Sequence, residues 1–216
     1  TAALAGAGVT VDIRTDGGGG QQGDITLANN IDYNGIGQGD TLRFFAEGDI
    51  IIDGSITDGT AASLDDLNIS FSAGEGAASG QIDINENIIT SGGSFTARNN
   101  AGGLANEDFD LAASKVIDTS GANANAGVGF VAQAGGVIDI QVTGQLNIQG
   151  NLDSSGGNQD ATNAGVLGGN VTLATSNAAA KIVVKGDITT DGGDAFSAGG
   201  AQNGGNAGTI TITSGN

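Results

Sequence analysis

The chain has 216 residues, of which 41 are glycine, and it contains no proline, cysteine, methionine, tryptophan or histidine. Hydrophobic residues make up 38% of it, which excludes simple disorder, and with seven Phe and one Tyr its core must be built from Ile, Val, Leu and Ala. Twenty-four acidic residues against six basic ones give a net charge of −18, which argues against nucleic acid and anionic lipid surfaces as partners.

The residue types that are missing exclude two kinds of cysteine-based site. Without cysteine, neither a disulfide framework nor a thiolate metal site can form. No apolar run is long enough to cross a membrane, so we expect no membrane insertion.

An apolar triplet recurs along the chain. Seven segments carry apolar residues at i, i+2 and i+6, and a glycine closes each segment three or four residues later. An i, i+2 pair lies on one face of a strand, so each segment predicts a strand, a bend, a short strand and a turn. The triplets are Ala7/Val9/Ile13, Ile25/Leu27/Ile31, Ile50/Ile52/Ile56, Ile82/Ile84/Ile88, Leu111/Ala113/Ile117, Leu146/Ile148/Leu152 and Ile182/Val184/Ile188, closed by Gly17, Gly35, Gly59, Gly92, Gly121, Gly156 and Gly192.

A further alternating strand precedes most triplets, so we expect two or three strands in each coil. These strands are marked by Leu42/Phe44, Leu67/Ile69/Phe71, Phe95/Ala97, Val128/Phe130, Ile138/Ile140/Val142 and Val171/Leu173. The triplets begin 18 to 36 residues apart, and the variation lies in Gly/Asn-rich segments such as 156–169 and 192–205. We interpret these segments as loop insertions at one corner, which in solenoids is often the binding face.

Polar residues mark the bend of each unit, five residues after the triplet starts. Six of the seven positions are polar, and Val116 interrupts the series; the polar ones are Asp12, Asn30, Ser55, Asn87, Asn151 and Asp187. Stacked Asn side chains could hydrogen bond from coil to coil, or Asn could simply tolerate the bend conformation.

Stacking explains why such a chain would coil. One unit cannot cover its apolar residues, whereas stacked units pair strand to strand and bury a continuous column. The sequence therefore predicts an all-β parallel β-helix, a solenoid of about seven irregular coils, as one domain over residues 1–216. The strands at 9–13 and 209–213 have no polar cap, so we expect the solenoid to continue at both ends, covalently or by polymerisation.

The repeat resembles the filamentous-haemagglutinin-like exoproteins exported by two-partner secretion. The similarity rests on GDITLANNIDYNG (23–35), GDIIIDGSITDG (48–59) and GGNVTLATSNAAAKIVVKGDITTDGG (168–193) and covers nearly the whole chain. The resemblance implies a right-handed parallel β-helix, an adhesin shaft at the bacterial cell surface and an outer-membrane export partner. The family's proline-containing secretion domain has no counterpart in this sequence.

An enzyme is one alternative, because some polysaccharide lyases and hydrolases are parallel β-helices. Without His and Cys only carboxylate chemistry remains, and the nearest acidic pairs are Asp65–Asp66 and Glu107–Asp108. Adjacent residues point to opposite sides of a strand, so we assign no catalytic residue and no cofactor.

Calcium is a further alternative, because hard cations bind acids in glycine-rich turns. GIGQGDTLRF (35–44) partly matches a nonapeptide calcium repeat through Asp40, and Asp24 and Asp49 hold equivalent positions before their triplets. A shared cation would relieve their repulsion, but solvent screening would also suffice. Asp24, Asp49 and Asp40 are therefore only weak calcium candidates.

These observations favour a non-catalytic fibre or adhesin shaft of the cell surface or biofilm matrix. The expected partners are neighbouring shaft segments, or other chains joined through open β-helix ends. Surface carbohydrate or a cell receptor is a further candidate partner, although Tyr33 is the one Tyr and stacking platforms for sugars are nearly absent. The alternatives are a self-assembling filament subunit, joined end to end by strand addition, and, more distantly, a β-helical carbohydrate-active enzyme.

Overall fold

The computed structural model describes residues 8–15, 23–33, 39–58, 66–75, 80–99, 107–124, 131–160, 163–195 and 203–215. Within these ranges all regular secondary structure is β-strand. In chain order the strands are β1 (Thr10–Arg14), β2 (Ile25–Leu27), β3 (Ile31–Tyr33), β4 (Asp40–Phe45), β5 (Ile50–Ile52), β6 (Ile56–Asp58), β7 (Leu67–Ala73), β8 (Ile82–Ile84), β9 (Ile88–Ile89), β10 (Phe95–Asn99), β11 (Glu107–Leu111), β12 (Val116–Asp118), β13 (Ile138–Val142), β14 (Gln145–Ile148), β15 (Asn151–Asp153), β16 (Val171–Thr175), β17 (Ile182–Val184), β18 (Ile188–Thr189) and β19 (Ile210–Thr213).

The strands form three parallel sheets, and each sheet takes every third strand. Sheet A has seven strands in the order β1-β4-β7-β10-β13-β16-β19. Sheet B runs β2-β5-β8-β11-β14-β17, and sheet C runs β3-β6-β9-β12-β15-β18. A coil is therefore one strand from A, one from B and one from C, after which the chain returns to sheet A beside the strand it left. This confirms the prediction of an all-β parallel β-solenoid.

The core consists of columns of apolar side chains, because the pairing is in register and the strand period is two. In sheet A, Leu42 pairs with Ile69, and Ile69 pairs with Phe95. In sheet B, Ile50 pairs with Ile82, which pairs with Phe109. The side chains of these six residues are buried.

The core is not purely aliphatic as the composition suggested, because four phenylalanines lie along its middle. The ring centroids of Phe44 and Phe71 are 5.1 Å apart, those of Phe71 and Phe95 are 5.5 Å apart, and those of Phe95 and Phe109 are 6.4 Å apart. Each pair meets edge to face, the arrangement that aromatic quadrupoles favour.

The predicted triplets match strands of sheets B and C in five of seven cases, and the fifth triplet is wrong by two residues. The residues that share a column with Leu146 and Ile148 are Phe109 and Leu111, not Leu111 and Ala113. A turn lies between β11 and β12, with Ser114 at φ 65° and a hydrogen bond from Lys115 N to Ala112 O, and it lengthens the spacing from six residues to eight.

The first triplet is also wrong. Val11 and Ile13 belong to β1, where they pair with Leu42 and Phe44 of sheet A. Asp12 is therefore not at the bend; its carboxylate accepts hydrogen bonds from Arg43 at 2.7 Å and Arg14 at 3.1 Å.

Some predicted positions lie outside the described residues. They are Ala7 of the first triplet, the strand pair Val128/Phe130, the closing glycines Gly17, Gly35 and Gly59, and Asp65. The described part of the chain contains no helix that is long and apolar enough to cross a membrane.

Candidate functional site

The two acidic residues that precede the strands of sheet B stack as predicted. Ile25 pairs with Ile50, which places Asp24 and Asp49 at the same position of adjacent coils. Asp24 Oδ1 accepts a hydrogen bond from Asp49 N at 2.9 Å, and Asp49 Oδ1 accepts one from Gln81 N at 2.8 Å. Each carboxylate is thus bonded to the backbone of the next coil.

The third calcium candidate lies elsewhere. Asp40 is fully buried at the start of β4, where its carboxylate accepts hydrogen bonds from Tyr33 Oη and Val9 N, both at 2.7 Å. The structure therefore brings Asp24 and Asp49 together but not Asp40. Among the described residues there is no group of three or more acidic side chains that could hold a metal ion.

The bend between sheets B and C carries the polar ladder that the sequence suggested. Asn30 Oδ1 accepts from Ser55 N at 3.0 Å, Asn87 Oδ1 from Val116 N at 3.1 Å, and Asn151 Oδ1 from Asp187 N at 3.0 Å. The bonds run from side chain to backbone, so Val116 N still donates to Asn87, but Val116 offers no side-chain acceptor and Asn151 N donates to Lys115 O instead. A second ladder at the entry to sheet A was not predicted: Asn68 accepts from Ser94 N, and Asn170 from Thr209 N.

One carboxyl group is buried at the corner between sheets A and B. Asp108 is 4% exposed and accepts a hydrogen bond from Gly144 N. Burial raises the pKa of Asp108 above its ordinary value, and the Gly144 hydrogen bond partly opposes this. Asp66, from the other acidic pair considered for catalysis, accepts a hydrogen bond from Gln133 Nε2 at 2.6 Å.

The glycine-rich segments after sheet C form ordered structures that we call the glycine arms. Each arm lies between a strand of sheet C and the next strand of sheet A, and its described parts are an outgoing and a returning segment: 119–124 with 131–136, 154–160 with 163–169, and 190–195 with 203–208. Outgoing and returning segments alternate through backbone hydrogen bonds: Gln133 N to Ala122 O, Gly157 N to Gln133 O, and Gly205 N to Gly193 O.

Close approach of backbones explains why the arms need glycine. A Cβ at Gly157 would lie 2.0 Å from Ala122 O, and one at Gly193 would lie 1.9 Å from Gly157 O. No side chain fits at such distances. These segments lie at one corner as predicted. Their described parts are not irregular loops, however, because they stack from coil to coil through backbone hydrogen bonds.

Two apolar side chains stand out from the returning segments of the arms. Val131 is 54% exposed and Leu167 is 56% exposed.

The arms also carry an Asn ladder. Asn158 Oδ1 accepts a hydrogen bond from Asp194 N at 2.8 Å, and Asn123 Oδ1 accepts one from Asn158 N at 2.7 Å.

A shallow groove of about 340 Å³ lies where β10, β13 and β16 end. Arg98, Gln141, Thr143 and Thr175 line it, and Arg98 is ion-paired with Asp139. The Thr175 hydroxyl is buried and bonds to no described residue. A guanidinium, an amide and hydroxyls can bind a hydroxylated ligand, but the described residues that line the groove include no aromatic ring on which a sugar could stack.

Comparison of the chain with protein-family models, with curated proteins and with solved structures found no match.

Proposed function

We propose that this chain is a non-catalytic structural segment of an extracellular fibre or adhesin shaft, built as a right-handed parallel β-helix of about seven coils. The observation that carries the proposal is the continuous parallel pairing of three sheets from β1 to β19, with a register shift between Glu107 and Phe109 of β11. Because each coil repeats the same columns and ladders, such a stack is a stiff body that lengthens by one strand spacing, about 4.8 Å, per coil.

The surface supports the same role. A net charge of −18 keeps a projecting rod soluble and keeps neighbouring rods apart. The glycine arms widen the rod along one corner without adding a separate domain, and the groove at Arg98 and Thr175 is where we place a weak contact with surface carbohydrate.

Immunogold electron microscopy of the producing cells tests the proposal. Antibodies raised against the chain should label fibres or the outer surface, and the label should be lost from cells that lack the export partner that the resemblance implies. Label confined to the cell interior would contradict the extracellular role, and cleavage of a polysaccharide by the purified chain would contradict the non-catalytic role.

A filament subunit is the second candidate, favoured by apolar side chains at the edges of the described stack. Ile210 and Ile212 of β19 are 44% and 52% exposed, and Ile13 of β1 is 37% exposed. Negative-stain microscopy of the purified chain, with and without millimolar calcium, separates the two candidates. Long uniform fibres would favour the subunit, and calcium dependence would implicate Asp24 and Asp49; short particles would favour the shaft segment.

A further inference from the structure

A notch lies between the first described glycine arm and the turn of the coil before it. Its volume is about 380 Å³, and it is lined by Asp66, Gly92, Ser94 and residues 133–137. These residues precede β7, β10 and β13, which are neighbouring strands of sheet A. Only residues 90–94 connect β9 to β10, whereas the arm precedes β13, so the notch lies in the middle of the stack beside a change in the length of the connection.

Three oxygen atoms face one small volume of the notch beside Gly92. Gly92 has φ 100°, a conformation that favours glycine, and it carries no side chain to fill this volume. A Cβ built on Gly92 would lie 3.3 Å from Ala134 O, 3.5 Å from Asp66 Oδ1 and 3.6 Å from Gln133 Oε1. The short turn and the returning segment of the arm thus bring three hydrogen-bond acceptors together.

One of these oxygens is a buried acceptor that lacks a donor. Gln133 Nε2 donates to Asp66 Oδ1 at 2.6 Å, which fixes the orientation of the amide, because exchange of its O and N atoms would set two acceptors against each other. Gln133 Oε1 is buried and accepts no hydrogen bond from a described residue. No described residue donates to Ala134 O either. Since buried acceptors are normally satisfied, the arrangement indicates that a donor group enters the notch.

The charge of the notch favours a donor that is a cation. Asp66 supplies a carboxylate, and the described residues that line the notch include no basic side chain. The chain as a whole has a net charge of −18, which attracts cations to its surface.

The number and placing of the oxygens select among cations. Ca²⁺ takes about six to eight oxygen ligands, more than this notch offers. A guanidinium is planar and spreads its donors along its edges. An ammonium group has three N–H bonds that diverge from one nitrogen, which matches three acceptors around one volume. Val137, which lines the notch and is 39% exposed, offers an apolar surface for the methylene stem of such a group.

We propose that the notch binds a primary alkyl ammonium group, with its nitrogen among Asp66 Oδ1, Gln133 Oε1 and Ala134 O and its stem on Val137. A lysine side chain of a partner protein and a free diamine both carry this group. The site goes beyond the shaft role and does not depend on it, because it needs only the arm and the turn.

The test is an NMR titration of the full 216-residue chain with pentylammonium at constant ionic strength. We expect saturable shifts confined to the amides of residues 66, 92–94 and 133–137. Pentanol has the stem without the charge, and trimethylpentylammonium has the charge without N–H donors, so neither should shift these amides. Asp66→Asn keeps an oxygen that can accept from Gln133 and should weaken pentylammonium binding about tenfold, because the charged acceptor is lost.

Two further variants separate the contacts from general effects. Asp194→Asn removes the same charge from an exposed position of another arm and should leave the affinity unchanged. Val137→Ala reduces the surface beneath the stem and should weaken pentylammonium binding about threefold, while methylammonium binding stays the same. Thermal unfolding of each variant checks that the fold is retained.

Four outcomes would overturn the proposal. They are the absence of shifts with pentylammonium, equal shifts with trimethylpentylammonium, an affinity that Asp66→Asn leaves unchanged, and equal shifts of the same amides with millimolar Ca²⁺, which would make the notch a metal site. Two ligands then distinguish the sources of the amine: Nα-acetyl-lysine methylamide represents a lysine of a partner protein, and cadaverine represents a free diamine. Binding of either supports the proposal, and the tighter of the two identifies the source.

Discussion

At the scale of single residues, the buried carboxyl of Asp108 makes stability depend on pH. Burial raises its pKa above the ordinary value of 3.8, so the folded state favours the protonated form. The contribution of Asp108 to stability is therefore fully present below the unfolded-state pKa, and it is lost as the pH rises through the folded-state pKa.

We expect Asp108→Asn to raise the free energy of unfolding at neutral pH, because the amide is neutral and its oxygen can still accept the Gly144 N–H. The gain should disappear in acid, where wild-type Asp108 is protonated. Urea unfolding over a pH series measures this difference. The control, Asp194→Asn, removes the same charge from an exposed arm; an equal gain there would attribute the effect to net charge instead.

The bend ladder makes a second prediction at this scale. Asn30→Ala should lower the free energy of unfolding by about 1 kcal/mol, because Ser55 N loses its acceptor. Asn30→Asp keeps an acceptor oxygen and should retain most of the stability in the same denaturant titration. Equal destabilisation of both variants would mean that Asn30 stabilises the fold by tolerating the backbone conformation of the bend and not by its hydrogen bond to the next coil.

The sequence indicated this ladder but not how its bonds are made. Asn30 and Asn151 are visible as a column because the triplets set their positions. That the acceptors are side chains and the donors are amides, so that Val116 can take part, depends on backbone geometry that residue identities do not specify. The same applies to Asp24 and Asp49, whose shared column was predicted but whose amide hydrogen bonds were not.

At the scale of elements, the glycine arms depend on backbone contacts that a methyl group would break. Gly193→Ala places a Cβ 1.9 Å from Gly157 O and should cost about 1–3 kcal/mol. Gly204→Ala is the matched control in the same arm, because its nearest heavy atom is 3.7 Å away. Thermal unfolding of both variants should separate them, and equal midpoints would mean that the arms do not stack in solution.

Strands were predictable where periodicity was short and regular. Ile50, Ile52 and Ile56 identify β5 and β6 directly, because a period of two and a fixed bend leave little freedom. The assumption of a constant bend failed at Leu111, where four residues form a turn and shift the register of the pattern. The arms were missed as structure because glycine carries no periodic side chain; their order comes from backbone hydrogen bonds alone.

At the scale of the whole molecule, each coil contacts only its neighbours, so stability should vary along the stack. In the middle, Ile84, Phe95 and Leu111 are fully buried, whereas at the end Ile182 and Ile188 are half-buried and Ile212 is exposed. The seven strands of sheet A span about 29 Å at about 4.8 Å per spacing.

We therefore expect hydrogen exchange of this chain to be slowest in β7 to β14 and fastest in β17 to β19. Mass spectrometry of peptides after timed exchange measures the gradient directly. Uniform protection along the stack would mean that the chain unfolds as one cooperative unit and that coils are not independent.

The ladders also have a direction. In the Asn and Asp ladders at the entry to sheet B, at the bend and in the arms, the side-chain oxygen belongs to the earlier coil and the amide to the later one, as in Asn30 to Ser55 and Asn123 to Asn158. At the entry to sheet A the same holds for Asn68 and Asn170, whereas Asp40 accepts from Val9 N of the earlier coil. A finished coil thus offers these acceptors only to the residues that follow it in the chain. The stack is therefore a directional template. When the chain folds from its N-terminus, each new coil finds hydrogen-bond acceptors on the coil that precedes it.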